Sequence, residues 1–409
     1  METGPNSERA AQGGQSVNRN AAMKFVVLLG FVSFFADMTY EGARSVTGPF
    51  LATLGASGAI VGLVAGLGEF IGYGLRIVSG YISDKTGQYW IITEIGYCLN
   101  LLAVPMLALA GNWQLAAALL ILERTGKAIR NPARDAMLSH ATSQIGHGWG
   151  FALHEAMDQI GAVMGPLLVA LAIGTCDQYR AAFRILLIPA LLALGVLGMA
   201  RILYPKPRSL EVKTTVIQSK GLPRKFWIYI LAIALVAAGY ADFPLIAFHL
   251  KKAASMPDTW VPLLYAGTMG IDAVAALVFG KLYDKVKVKS LIAAVGLSAF
   301  FAPLAFLGSI KAAMVGIALW GIGMGAQESI LRAAVAEMVV PERRGSAYGI
   351  FNAGYGFFWF VGSALMGIFY DISIPVLVGF SVLTQLCSVA VLVAVSGNSR
   401  EYPGIDTIR

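Results

Sequence analysis

Long apolar segments recur along the whole chain and are separated by short polar stretches. Each holds about 20 residues or more, the length that an α-helix needs to cross the hydrocarbon core of a bilayer. The pattern therefore predicts an all-α integral membrane protein with twelve transmembrane helices, called here the first to the twelfth span. The spans fall at about 24–53, 57–83, 90–110, 113–139, 148–174, 181–203, 226–250, 260–284, 289–308, 311–338, 346–371 and 374–396.

A polar segment at 204–225 holds six basic residues and one acid and divides the spans six and six. It predicts two six-helix bundles, at 24–203 and 226–397, joined by a basic linker. Polar tails at 1–23 and 398–409 complete the chain. The N-terminal tail has no apolar stretch before a small-residue cleavage site, so we expect no cleaved signal peptide.

The basic residues between spans collect on one side of the membrane when twelve spans are threaded through it. They lie in the linker and in three turns, at Asp84-Lys85, Lys281–Lys289 and Glu342–Arg344. Cytoplasmic loops carry an excess of lysine and arginine. This side, with both termini, is therefore predicted to be cytoplasmic, and the protein to lie in the plasma (inner) membrane.

An internal repeat links the two halves. The segment Gly80–Lys85 recurs 200 residues later as Gly280–Lys285, and Gly146–Gly150 recurs 199 residues later as Gly345–Gly349. Two copies of a six-helix unit in parallel register place a binding site between the halves, near the bilayer midplane.

The loop Gly80-x-x-x-Asp84-Lys85-x-Gly87, with its second copy, resembles the signature loop of the major facilitator superfamily. The resemblance extends over the six-plus-six layout and the duplication. It implies two bundles related by a pseudo-twofold axis normal to the membrane, and secondary active transport by alternating access. We assign gating to this loop and to its copy, through the residues Gly80, Asp84, Lys85, Gly87 and Asp284.

Composition supports a membrane protein and excludes several other classes. The chain is 57% apolar and 13% charged, with a mean hydropathy of +0.69, whereas soluble domains carry about 25% charged residues. This excludes a soluble enzyme, a disordered protein and a nucleic-acid binder. The net charge of +8 therefore informs topology more than it informs partners.

Few chemical motifs accompany the spans. The three cysteines have neither paired nor metal-like spacing, so no disulfide framework, metal site or cofactor is expected. Without the phosphate-binding pattern Gly-x-x-x-x-Gly-Lys-Ser/Thr, ATP hydrolysis is disfavoured as the energy source. We expect a monomer whose partners are protons, a small-molecule substrate and membrane lipid.

Ionisable side chains near span centres are too costly to face lipid, at about 2.5 to 3.5 kcal/mol each. In the first span, Asp37, Glu41 and Arg44 share one helix face, with Glu41 and Arg44 close enough to pair. Asp37 is the better candidate for reversible protonation, because a desolvated carboxylate without a full counter-charge binds a proton more readily. The alternative is a static ion-pair network that orients helices.

The fourth span carries a basic stripe that has two interpretations. Glu123, Lys127, Arg130 and Arg134 follow one helix face, and Pro132 is expected to kink the helix or end its regular part. The stripe holds an anionic substrate, with Arg124 beside it as the family's coupling arginine, or forms a cytoplasmic gate. The gate assigns Arg130 and Arg134 to ion pairs with Asp84 and Asp135.

In the fifth span, His154 and Asp158 form an i, i+4 pair able to share a proton near neutral pH. The sequence Gly161-x-x-x-Gly165-Pro166 offers a small-residue face for close helix packing. It also resembles the glycine-proline motif of exporters in the superfamily. Close packing without any bearing on transport is the competing interpretation.

These observations predict proton-coupled transport of a small organic molecule, most simply export of a drug or metabolite in exchange for protons. Uptake of a small organic anion is the alternative, and a membrane-embedded enzyme or scaffold is disfavoured. Proton coupling is assigned to Asp37, Glu41, His154 and Asp158. The substrate cavity is assigned to Arg44, Glu69, Arg124, Tyr240, Asp242 and Glu328.

Overall fold

The computed structural model describes residues 5–142, 145, 147–176, 178–205, 222–252, 256–339 and 344–397. Within these ranges the chain is helical and has no β-strand. The first-half helices are α1 (Pro5–Thr53), α2 (Gly58–Thr86), α3 (Tyr89–Met106), α4 (Trp113–Thr142), α5 (His147–Cys176), α6 (Tyr179–Ile185) and α7 (Leu187–Leu203). The second half contains α8 (Arg224–Gly239), α9 (Phe243–Lys252), α10 (Trp260–Val286), α11 (Val288–Ser298), α12 (Phe301–Leu307), α13 (Ile310–Met338), α14 (Arg344–Ile372) and α15 (Ile374–Gly397).

These helices match the predicted spans, with three spans divided between two helices. The sixth span is α6 with α7, the seventh is α8 with α9, and the ninth is α11 with α12. Eleven described stretches are long and apolar enough to cross a membrane. The fourth span, α4, has 30 residues, but its charged stripe lowers its hydropathy. The prediction of an all-α, multi-pass membrane protein is confirmed.

Two boundaries differ from those that the apolar pattern suggested. Helix α1 begins at Pro5, so the helix of the first span also includes most of the polar residues that the sequence assigned to an N-terminal tail. Most of the linker (206–221) and the C-terminal tail (398–409) lie outside the described residues, as do the turn at 342–343 and Gly146 of the repeat.

One of the two expectations for Pro132 was that the regular helix ends there. Helix α4 instead continues past this residue. Proline has no N–H, so it leaves the carbonyl of Ala128, four residues earlier, without its helical donor. The buried Ser79 hydroxyl of α2 donates to this carbonyl at 2.9 Å. A hydrogen bond from the neighbouring helix thus replaces the missing one, and α4 continues to Thr142.

The chain divides into two compact units whose boundaries cut through helices. The first combines the described residues up to Ala43 with Leu75–Leu109 and with those from Leu122 to the linker. The second combines Arg44–Gly74 and Ala110–Ile121 with the described residues after the linker. The six-plus-six division into bundles stays a prediction from the sequence.

Glycines bring helices of the first unit into backbone contact. A Cβ on Gly161 would overlap the Phe34 carbonyl, and one on Gly165 would lie 2.9 Å from the Gly42 nitrogen. The small-residue face of α5 therefore packs directly on α1, beside Asp37.

Close packing in the second unit joins segments from both halves of the sequence. A Cβ on Gly48 would overlap the Pro244 carbonyl at the start of α9, and Gly62 of α2 meets Gly367 of α14 in the same way. The Asp371 carboxylate also accepts hydrogen bonds from the first two backbone N–H groups of α2, at 2.9 and 2.8 Å. A carboxylate there is favourable, since it faces the positive end of the helix dipole.

The duplicated loops have the same backbone geometry. After α2, the Gly87 N–H donates to the Ser83 carbonyl at 2.8 Å, and after α10 the Lys287 N–H donates to the Tyr283 carbonyl at 2.8 Å. Both residues have positive φ, +67° at Gly87 and +53° at Lys287. The repeat therefore extends to a left-handed residue that ends the helix, a conformation that favours glycine.

This geometry predicts opposite effects at the two equivalent positions. Gly87→Ala places a Cβ in a left-handed conformation and is expected to lower the free energy of unfolding by about 1 kcal/mol. Lys287→Gly removes that strain and is expected to be neutral or mildly stabilising, because its Glu337 ion pair is half exposed. Thermal unfolding in detergent measures both variants, and an equal loss of stability in the two would contradict the prediction.

Candidate functional site

Three of the four cations on or beside the α4 stripe lie next to a carboxylate. Arg124 Nε lies 3.3 Å from Glu123 Oε2, and Lys127 Nζ lies 4.0 Å from Glu41 Oε1. Arg134 binds Oδ1 of Asp135 through Nη2 and Nε, at 2.8 and 2.9 Å. The Arg134–Asp135 pair is the one that the gate interpretation predicts.

Arg130 is the exception within the described chain. Its side chain is fully buried, and none of its three guanidinium nitrogens has a hydrogen-bond partner among the described residues. The guanidinium carbon lies 4.2 Å from the centre of the Tyr97 ring and 5.7 Å from that of Tyr40. Arg130 therefore pairs with neither Asp84 nor Asp135, contrary to the prediction, and its guanidinium lies against aromatic rings instead.

Two carboxylates of the first unit complement this arginine. Asp37 and Asp158 each have one buried carboxyl oxygen without a hydrogen-bond partner in the described part of the chain. Arg130 contributes to the electrostatic environment of both. Lys127 and a hydrogen bond with Tyr40 also act on Asp37, and Arg134 also acts on Asp158.

His154 lies between Asp158 and Ser33. Its Nδ1 is 3.6 Å from Asp158 Oδ2, so the predicted i, i+4 spacing does bring the two side chains together. Its Nε2 lies 2.9 Å from the hydroxyl oxygen of Ser33 on α1, which also accepts a hydrogen bond from Arg134 Nη1 at 3.2 Å. The imidazole is buried, with Ser33 on its Nε2 side and Asp158 on its Nδ1 side.

A second charged group occupies the second unit. Arg44 Nη2 donates to Asp242 Oδ1 at 2.7 Å and lies 3.5 Å from Glu69 Oε1. The Trp359 indole N–H donates to the other Asp242 oxygen at 3.0 Å. Asp242 is buried, and an arginine and an indole satisfy its two oxygens.

Asp242 lies in an interruption of the seventh span. Helix α8 ends at Gly239 and α9 begins at Phe243, so Tyr240 to Asp242 are non-helical. Side chains from other spans satisfy the freed carbonyls, since Ser381 donates to Gly239 at 2.6 Å and the Trp320 indole donates to Ala241 at 2.8 Å. Interrupted spans with polar groups at the break are the usual location of transporter binding sites.

Among the described residues, no three His, Cys, Asp or Glu side chains are placed to hold a metal ion. The duplicated loops carry exposed acids instead. Asp84 and Asp284 are both exposed, and the Tyr89 hydroxyl donates to Asp84 Oδ1 at 3.4 Å. Glu328, assigned from the sequence to a cavity, is exposed as well.

The sequence pattern of the Major Facilitator Superfamily matches residues 27–307 and 230–405. The chain belongs to the major facilitator superfamily. It is therefore a transporter and not an enzyme, as the signature loop and the duplication predicted.

The proteins that resemble this chain carry different functional names. An uncharacterized protein of Mycobacterium tuberculosis is 42% identical over 383 residues, covering 92% of this chain and 93% of that one. The fosmidomycin resistance protein of Escherichia coli is 25% identical over 309 residues, covering 73% and 74%. The crystal structure of the nucleoside transporter NupG superposes with a TM-score of 0.71 at 15% identity, covering 92% of this chain and all of that one. This last likeness concerns the fold alone.

Sequence reasoning missed several residues of this facilitator's buried groups. Ser33 and Tyr97 lie on apolar stretches and give no periodic signal, although the site contains both. The interruption around Asp242 did have a signal, because Gly239 and Pro244 flank it and both disfavour a continuous helix.

Proposed function

We propose that the protein is a proton-coupled secondary transporter of a small organic molecule, with Asp37 and Asp158 as the groups that bind and release protons. The observation that carries the proposal is the pairing pattern in the first unit. Arg124, Lys127 and Arg134 have carboxylates beside them. Within the described part of the chain, Arg130 has no acceptor and the two aspartates each have an oxygen without a donor.

The pattern supports a two-state cycle. When Asp37 and Asp158 are protonated, Arg130 needs no carboxylate and rests against Tyr97. When an acid loses its proton, the nearby guanidinium compensates the new charge, which offsets the cost of a buried ion. Proton release would then be linked to movement of Arg130 and of α4, which carries it.

Exchange of protons for an exported compound is the preferred direction. The glycine-proline face of α5 packs on α1 beside Asp37, and one relative is named for resistance to a drug. Uptake of a small organic anion is the second candidate, and one observation favours it. Arg130 is a buried cation for which the described ranges supply no acceptor, and a guanidinium binds carboxylates and phosphates well.

The second unit supplies the proposed closing contacts for alternating access. Gly48 against Pro244, Gly62 against Gly367 and Asp371 on the start of α2 join both halves of the sequence at span ends. In the predicted topology these span ends lie on the outer side, opposite the basic loops. We propose that they form the outer gate, that Arg44 and Asp242 line the substrate path behind it, and that the Asp84 loop with Arg134 belongs to the inner gate.

Purified protein in liposomes with a trapped pH dye tests coupling and direction together. The compounds are those that raise the melting temperature in a screen containing fosmidomycin, nucleosides and small organic acids. With a compound loaded inside and sodium absent, exchange for protons acidifies the interior, whereas movement together with protons makes it alkaline. Transport that requires sodium and leaves the internal pH unchanged would refute proton coupling.

A further inference from the structure

The hydrogen bonds around His154 have a direction that follows from their donors. An arginine guanidinium carries only donors, so the Ser33 hydroxyl oxygen accepts from Arg134. The remaining described partner of Ser33 is His154 Nε2, at 2.9 Å. Among the described residues that nitrogen is the one acceptor for the serine proton, and accepting it requires an Nε2 without a proton of its own.

A neutral imidazole carries one proton, and when Nε2 accepts, that proton is on Nδ1. The Nδ1 atom faces Asp158 Oδ2 at 3.6 Å, on the opposite side of the ring from Ser33. Arg134 and Arg130 are the cations near the ring, and Asp135 and Asp158 are the acids near it.

We infer that Ser33 is a positioning residue that holds His154 in the tautomer with its proton on Nδ1, so that the imidazole donates towards Asp158. The role of this tautomer in transport rests on the proposed proton coupling. The tautomer itself rests on the hydrogen bonds of Ser33 alone.

This arrangement lets one proton pass through the ring, and His154 is neutral before and after the transfer. A hydronium ion gives its proton to Nε2 once the Ser33 hydroxyl rotates away, and the ring is then an imidazolium. Loss of the Nδ1 proton to an ionised Asp158 oxygen restores a neutral ring with its proton on Nε2, and return of the ring to the Nδ1 tautomer resets it. The carboxyl gains the proton that left Nδ1, so one proton is taken up and one is delivered.

Nitrogen NMR of protein labelled with 15N-histidine reads the tautomer directly and needs no substrate. The His154 signals are assigned by their absence in His154→Gln. In the unaltered protein at neutral pH, we expect the chemical shift of an unprotonated nitrogen at Nε2 and of an N–H at Nδ1. Ser33→Thr keeps the hydroxyl and is expected to keep this pattern.

Ser33→Ala removes the donor, and the His154 signals are expected to move towards a mixture of the two tautomers. An N–H at Nε2 in the unaltered protein overturns the inference, as does an unchanged tautomer in Ser33→Ala. If Ser33→Ala does not fold, the spectrum of the unaltered protein still decides. A confirmed tautomer with no proton flux in liposomes would refute the proposed coupling and leave the inference standing.

Discussion

Gly48→Leu is expected to abolish net transport, reducing it by about 100-fold or more. A side chain at this position runs into the backbone of Pro244 and Phe248, at the point where α1 meets α9. Backbone atoms of packed helices cannot move aside as a flexible side chain does, and overpacking costs about 1–3 kcal/mol or more. The two helices must therefore separate, and the proposed outer gate cannot close.

Spin labels at Thr53 and Lys252 report this gate, because both residues line the same surface cavity of the second unit. The distance between the labels is expected to lengthen in Gly48→Leu. Gly267→Leu is the matched control, since a Cβ at Gly267 meets nothing within 4 Å, and it should keep both the distance and the transport rate. Normal transport by Gly48→Leu would remove this contact from the gate.

Arg130→Ala is expected to lower transport driven by a pH gradient by about 100-fold. It removes one of two cations that act on each acid, the other being Lys127 for Asp37 and Arg134 for Asp158, and breaking a buried charge pair costs about 3–5 kcal/mol. At 1.36 kcal/mol per factor of ten, even the lower figure exceeds 100-fold. Arg130→Lys should recover only part of the rate, because an ammonium lacks the planar guanidinium that stacks on Tyr97.

Arg124→Ala is the comparison that separates this claim from a general effect of removing charge. Arg124 lies beside Glu123, whose side chain also accepts a hydrogen bond from Asn100 at 2.7 Å. Glu123 therefore keeps a donor when Arg124 is lost, and we expect about a tenfold loss or less. A larger loss in Arg124→Ala than in Arg130→Ala would return Arg124 to the central role that the sequence first suggested.

The sequence predicted those features that depend on spacing along one helix. His154 and Asp158 meet because residues four apart share a helix face. The all-helical fold followed from the apolar segments, and the family followed from the duplicated loops together with the six-plus-six layout.

The sequence did not predict the features that depend on contacts between helices. Nothing near Pro132 indicates that Ser79, 53 residues earlier, satisfies the carbonyl that this proline leaves free. Ser33 belongs to the same class, since its partners lie 101 and 121 residues away. A single polar side chain in an apolar run gives no period, so its role appears only when the helices are packed.

The central claim is that protons bound at Asp37 drive transport, and Asp37→Asn tests it most directly. An asparagine is nearly the same size but holds no exchangeable charge. In liposomes, exchange of labelled for unlabelled compound should continue, because it needs no net proton movement. Accumulation against a compound gradient, driven by a pH gradient, should be lost. If Asp37→Asn still accumulates the compound at the rate of the unaltered protein, the proton does not bind at Asp37 and the account is wrong.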